Sequence, residues 1–277
     1  MRPLHALTEE DVAPLAGVIF DLDDTLLDHG RLREGAYGAL FRMKEAGLRL
    51  VGATGRPFGW VELLARQWPV DAMIAENGSA AVVRTEDGGL RAMIEGGERR
   101  AELLLLAEEL VRRFPSTKIT DDNAARVADV TLDIGETRRV PAAEVAEMHA
   151  IARAKGVLTV ASSVHLHLAH EAPDKAAGAV RLLGSAFGED ATAARWRYAF
   201  IGDSGNDATA FAGFKLTFGV ANVRASAALL TRMPRFVAPS EMGRGFVEIA
   251  AALVEARRRA IAPARDIRQR AIENPGA

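Results

Sequence analysis

Apolar and polar positions along this chain fall into a repeating alternation. The short apolar run Gly17-Val18-Ile19-Phe20 stops on Asp21, and Leu48 to Ala53 stops on Thr54-Gly55-Arg56-Pro57. A third run, Ala72 to Ala75, stops on Glu76-Asn77-Gly78. Such runs are too short for helices and read as buried strands with polar groups at their carboxyl ends. Between them lie helical patterns from about Leu32 to Ala46, closed by Gly47, and from about Phe58 to Gln67. Strand, helix, strand, helix, strand predicts a parallel sheet with crossover helices.

The rhythm then changes. Ala80 to Thr85 and Leu90 to Glu95 are strand-like and joined by Glu86-Asp87-Gly88-Gly89, a hairpin signal. A helix is predicted over about Glu98 to Phe114, then extended sequence near Arg126 to Ile134. A second helix, about Ala142 to Lys155, precedes extended sequence to Leu168. Hairpin strands with two helices predict an α+β insert. Alternation returns after Pro173: helix Lys175 to Phe187, strand Tyr198 to Gly202, short helix Asp207 to Ala212, strand Lys215 to Val220 and helix Phe246 to Arg259. The charged tail from Pro263 to Ala277 is expected to fray. The fold class expected is therefore α/β, a Rossmann-like doubly wound parallel-sheet core over 1–82 and 172–277, with an inserted α+β cap domain over 83–171.

Composition narrows the partners. The 277 residues are 49% hydrophobic and 26% charged, with a net charge of -2, so nucleic acid is not the expected partner. No apolar run approaches the ~18 residues of a membrane span. The first dozen residues carry Glu9, Glu10 and Asp11 and lack the basic and apolar stretches of a signal peptide. The chain has no cysteine, which excludes disulfides and thiolate chemistry and fits a cytoplasmic location. Expected partners are thus a small molecule and, as a homodimer, a second copy of the chain; a monomer is the other expectation.

Four short patterns carry candidate chemistry: Asp21-Leu22-Asp23-Asp24-Thr25, Thr54-Gly55-Arg56, Lys175, and Gly202-Asp203-Ser204-Gly205-Asn206-Asp207. In a doubly wound sheet, strand carboxyl ends converge on one crevice. In extended sequence Asp21 and Asp23 face the same way. Two carboxylates on one face repel, which favours a bound Mg2+ or a shared proton. Asp203 adds a hard oxygen ligand, and Mg2+ prefers a few carboxylates completed by water and phosphate. Thr54 and Lys175 suit phosphate oxygens. Together these groups match the needs of phosphoryl transfer.

The ordered set Asp-x-Asp-x-Thr, Thr at a strand end, Lys, then Gly-Asp-x-x-x-Asp resembles the haloacid dehalogenase superfamily of phosphohydrolases. The insert between Thr54 and Lys175, with Glu76-Asn77-Gly78, resembles the type IIB cap of Cof-like, sucrose-phosphate, trehalose-phosphate and mannosyl-3-phosphoglycerate phosphatases. The resemblance implies an aspartyl-phosphate mechanism on a sugar phosphate or similar metabolite, with Mg2+ as cofactor. Asp21 is then the nucleophile and Asp23 the general acid and base, its carbonyl also on the metal. Asp203 is a metal ligand and Asp207 an outer one through water. Thr54, the Gly55 amide, Lys175 and Asn206 hold phosphate. A phosphomutase or a non-catalytic sugar-phosphate sensor are the alternatives.

The cap offers further candidates. Arg126 follows Asp121-Asp122-Asn123, and His165 and His167 share a strand face. With Arg56, these three are the substrate-contact candidates; the histidines also suit a structural role. Ser240 to Gly245 reads as the lead-in to the last helix, and Arg257 to Arg259 suits that helix's carboxyl end.

Overall fold

The computed structural model describes residues 1–162, 164–171 and 174–273. Ser163, Pro173 and the last four residues of the expected fraying tail lie outside the described residues. The fold is α/β with a mostly parallel central sheet. Two compact units divide the chain, one of residues 1–51 and 189–277, the other of residues 52–188.

In chain order the first unit starts with β1 (Arg2–Pro3), α1 (Glu9–Val12), β2 (Gly17–Asp21), α2 (Glu34–Glu45) and the start of β3 (Arg49–Ala53). The second unit continues with α3 (Phe58–Gln67), β4 (Ala72–Ala75), β5 (Ala80–Arg84) and β6 (Leu90–Ile94). It goes on through α4 (Arg100–Arg113), β7 (Lys118–Ile119), β8 (Val130–Asp133), α5 (Ala142–Ala154), β9 (Leu158–Ala161), β10 (His165–Ala169) and α6 (Lys175–Phe187). The chain then returns to the first unit with α7 (Ala191–Arg197), β11 (Tyr198–Gly202), α8 (Ala208–Gly213), β12 (Leu216–Gly219), β13 (Phe236–Val237) and α9 (Met242–Glu273).

The first unit orders its strands β1-β13-β12-β11-β2-β3. The pairs β1–β13, β13–β12, β12–β11 and β11–β2 are all parallel. Every residue of β2 and β11 is buried, as the unbroken apolar runs require of strands covered on both faces. Register sets Phe200 beside Ile19 and Ile201 beside Phe20. Asp21 and Asp203 therefore emerge at adjacent carboxyl ends. Helix α9 is fastened to α2 by Arg257, whose guanidinium donates to the carbonyls of Ala46 and Leu15, each at 2.7 Å.

The second unit holds two sheets. In one, β4, β5 and β6 run antiparallel, with Ala72 opposite Val83 and Val83 opposite Arg91. The hairpin expected to open the insert thus continues β4's sheet, and the expected 82/83 boundary runs through β5. The other sheet, ordered β7-β8-β10-β9, is fully antiparallel. It is packed by Leu103, Leu106 and Leu110 of α4 and Met148 of α5 onto Val130, Leu132, Leu166 and Leu168. This sheet and helices α4 and α5 share a hydrophobic core of their own.

Two other expectations change. Helix α7 was not expected; Asp190 caps it, accepting from the amides of Thr192 and Ala193. Helix α9 extends well past Arg259, to Glu273, where a fraying tail was expected. Among the described residues no helix is long and apolar enough to cross a membrane.

Candidate active site

The turn after β2 is wound tightly. The Leu22 carbonyl accepts from the amides of Leu26 and Leu27 at 3.0 and 2.8 Å. Asp24 takes a positive φ of 55°, a conformation that aspartate tolerates better than most side chains. The winding brings Thr25 Oγ1 to donate to Asp203 Oδ1 at 2.9 Å. Asn222 Nδ2 donates to the other Asp203 oxygen at 2.8 Å and to the Asp24 carbonyl at 3.0 Å. Asn222 Oδ1 in turn accepts from the Met242 amide at 3.1 Å, at the start of α9.

Asp207 lies under the end of β11. Its carboxylate accepts from the amides of Asp203 and Ser204 at 2.9 and 3.2 Å. Gly202 makes this possible, because a Cβ there would collide with the Asp207 carboxylate. Ser204 Oγ donates to Asn206 Oδ1 at 2.6 Å. The outcome is a buried group of Asp21, Asp203 and Asp207, each offering an oxygen within 4.8 Å of the others. Three buried carboxylates this close repel unless a cation or protons intervene. Asp23 is half-buried and outside this carboxylate group.

In the second unit, Thr54, Gly55 and Arg56 form a turn whose peptide groups are pinned. The Thr54 amide donates to the Ile74 carbonyl at 2.9 Å, and the Thr54 carbonyl accepts from the Asn77 amide at 3.1 Å. The Arg56 amide donates to Thr54 Oγ1 at 3.1 Å, and the Arg56 carbonyl accepts from the Glu76 amide at 3.1 Å. Glu76 and Asn77 both take positive φ, 50° and 53°. Gly78 and Gly178 approach so closely that a Cβ on Gly178 would lie 2.5 Å from the Gly78 Cα. Only paired glycines allow this contact, and it docks the first turns of α6 on the Glu76–Gly78 turn. Asp174 caps α6, accepting from the amides of Ala176 and Ala177. Thr54–Gly55 and the buried Lys175 are thus seated against the same turn.

A buried ionic network adjoins this turn. The Glu76 carboxylate accepts from the amides of Phe58, Val127, Ala128 and Asp129, at 2.8 to 3.0 Å. Burial raises its pKa, the Asp129 charge raises it further, and the amides of Asp129, Val127 and Ala128 oppose both. Arg126 donates to Asp122, to Asp129 and, through Nη1 at 3.1 Å, to the Gly55 carbonyl. His167 Nδ1 lies 2.7 Å from Asp129 Oδ2. Burial pushes Asp129 up, but Arg126 and His167 overcome it and hold its pKa at about 2. Burial lowers the His167 pKa, against the pull of Asp129. His165 Nε2 lies 2.8 Å from Glu136, and Arg56 reaches the same carboxylate at 3.7 Å.

A family model described as haloacid dehalogenase-like hydrolase matches residues 18–91, the stretch that carries Asp21, Asp23 and Thr54. Over that stretch the chain is similar to haloacid dehalogenase-like hydrolases. Solved structures share the fold of this chain. Thermoplasma acidophilum 0175 is 20% identical, with a TM-score of 0.69 over 86% of this chain and 98% of its own. A haloalkanoate-superfamily phosphatase from Bacteroides thetaiotaomicron is 17% identical, with a TM-score of 0.60 over 92% and 98%. Sucrose-phosphatase from Synechocystis is 16% identical, with a TM-score of 0.62 over 86% and 98%. No curated protein matches the sequence.

The donors of this buried group are all carboxylate oxygens, which suits a hard divalent cation. Several contributors had no role in the sequence reading. Asn222 is visible only as a polar residue just past a strand end. Asp129 is an acid between Ala128 and Val130, the pattern of a buried, partnered carboxylate. Glu76 and Thr25 lay inside recognised motifs, but their partners are remote in sequence.

Proposed function

We propose that this chain is a Mg2+-dependent phosphomonoesterase that hydrolyses a small phosphorylated metabolite, a sugar phosphate, through an aspartyl phosphate on Asp21. The observation that carries the reading is the buried group of Asp21, Asp203 and Asp207 at the carboxyl ends of β2 and β11. The structural likeness to a sucrose-phosphatase solved with sucrose and phosphate supports the substrate class.

Asp21, Asp203 and Asp207 would hold the Mg2+, with the Asp23 carbonyl as a further oxygen. The ion supplies positive charge where an anionic nucleophile must approach an anionic phosphate. An Asp21 oxygen attacks phosphorus as the ester P–O bond breaks, and the Asp23 carboxyl gives its proton to the departing oxygen. Asp23, now ionised, takes a proton from water. That water attacks phosphorus, the Asp21–phosphate bond breaks, and Asp21 and inorganic phosphate are regenerated. Thr54, the Gly55 amide, Lys175 and Asn206 hold the phosphate oxygens. In this reading residues 1–82 and 172–277 do the chemistry and residues 83–171 read the leaving group. Arg56 and His165, both on Glu136, are proposed for the sugar hydroxyls.

A panel of phosphorylated metabolites with Mg2+, ranked by kcat/KM, tests the proposal. The expected result is inorganic phosphate release, fastest from sugar phosphates. Isomerised sugar phosphate without phosphate release would point to a mutase instead. Binding of sugar phosphates without turnover would point to a sensor.

A further inference from the structure

We infer that Arg126 is a positioning residue for the phosphate-binding turn, acting through the Gly55 carbonyl rather than touching the leaving group. The inference rests on the phosphatase reading in taking Gly55 as a phosphate donor. It departs from the expectation that Arg126 contacts substrate.

The Arg126 side chain is buried, and all three of its guanidinium nitrogens donate to groups of the protein. Nε and Nη2 donate to Asp122, while Nη1 donates to both Asp129 oxygens and to the Gly55 carbonyl. A group held on three sides by carboxylates and a carbonyl has no fork left for a ligand.

The backbone explains why the Gly55 carbonyl matters. Each trans peptide points its C=O and N–H in opposite directions. The Thr54 carbonyl accepts from the Asn77 amide, so the Gly55 N–H of the same peptide faces away from Asn77. The next peptide is held at both ends, by Arg126 on its carbonyl and by Thr54 Oγ1 on the Arg56 N–H. The Thr54 and Arg56 amides and all three carbonyls of the turn are thus bonded. Among the described residues, the Gly55 N–H is the one backbone donor of this turn with no acceptor. Gly55 also lies beneath the Asn77 amide and the His167 ring, since a Cβ there would lie 3.1 Å and 3.4 Å from them. The turn is therefore preorganised with one outward donor, and preorganised donors are what stabilise an anion. Glu76 serves the same end from the other side, because its bonds from the amides of Val127, Ala128 and Asp129 fix residues 127–129 and so fix Arg126.

The test compares wild type, Arg126→Lys and Arg126→Met as full chains. Calorimetry measures orthophosphate binding in Mg2+, and kinetics use p-nitrophenyl phosphate and glucose 6-phosphate. Melting temperature reports the fold. Lysine keeps the charge but cannot reproduce a planar fork that spans two carboxylates and a carbonyl. Arg126→Lys is expected to fold, to bind orthophosphate about tenfold more weakly, and to raise KM for both esters by a similar factor. Arg126→Met is expected to bind more weakly still. A KM change for the sugar phosphate alone would make Arg126 a leaving-group contact and overturn the inference. So would a folded Arg126→Lys with wild-type orthophosphate affinity, or a wild type that does not bind orthophosphate. A wild type that binds orthophosphate but turns over neither ester would sink the phosphatase reading while the affinity comparison still decides the role of Arg126.

Discussion

Asp203 is held from two sides by groups that sit 178 positions before it and 19 after it in the chain, Thr25 and Asn222. Hydrogen-bond partners of this kind set the orientation of a metal ligand, and their loss costs about 10–100-fold in metal affinity or activity. Asn222→Ala is accordingly expected to raise the Mg2+ concentration for half-maximal activity by about that factor, read from activity against Mg2+. Asp23→Ala is expected to lower kcat by about 10²–10⁴-fold, the usual contribution of a positioned acid–base group. The carboxylates themselves were legible in the sequence because each follows an apolar run that must be a buried strand. Asn222 and Glu76 were not assigned roles, because those roles are hydrogen bonds to remote segments. Spacing along the chain carries no signal for such bonds.

Elements with strong local signals matched the sequence reading to the residue: α3, β4, α6 and β11. What was misplaced lacked such signals. The hairpin β5–β6 is evident from its turn, but nothing local says which sheet it joins. Its outer strand β6 is largely exposed and reads as an edge in either case. The two-residue strands β1, β7 and β13 are too short to carry a period. The docking of α6 on Gly78 is likewise a tertiary fact, and it gives a test. Gly178→Val is expected to destabilise the protein by about 1–3 kcal/mol or more in a denaturant titration, since the Gly78 backbone cannot yield easily. It should also weaken phosphate release activity, because Lys175 sits in the same first turn. In the insert, Leu132→Ala is expected to cost about 2–5 kcal/mol in the same titration, as it opens a cavity between α4 and its sheet.

At the scale of the whole molecule, buried charge makes stability depend on pH. His167 has a lowered pKa, so the unfolded chain binds its proton first as pH falls. Its contribution is complete above about 6.5 and is lost as pH drops from there. Asp129, at about 2, contributes above the ordinary 3.8 and loses that contribution between 3.8 and about 2. Glu76 has the opposite sign, its raised pKa lowering stability once pH exceeds its ordinary 4.5. Denaturant titrations from pH 7 to 5 are expected to show stability falling, with Asp129→Asn destabilised at pH 7 by about 3–5 kcal/mol through loss of a buried ion-pair partner. The same buried carboxylates that complicate stability define the proposed chemistry, and that chemistry turns on Asp21. The direct measurement is steady-state turnover of p-nitrophenyl phosphate in Mg2+ by wild type and by Asp21→Asn, with melting temperatures confirming that both are folded. The account predicts phosphate release by wild type and a loss of about 10³-fold or more in the variant. Equal turnover by the two proteins would contradict it.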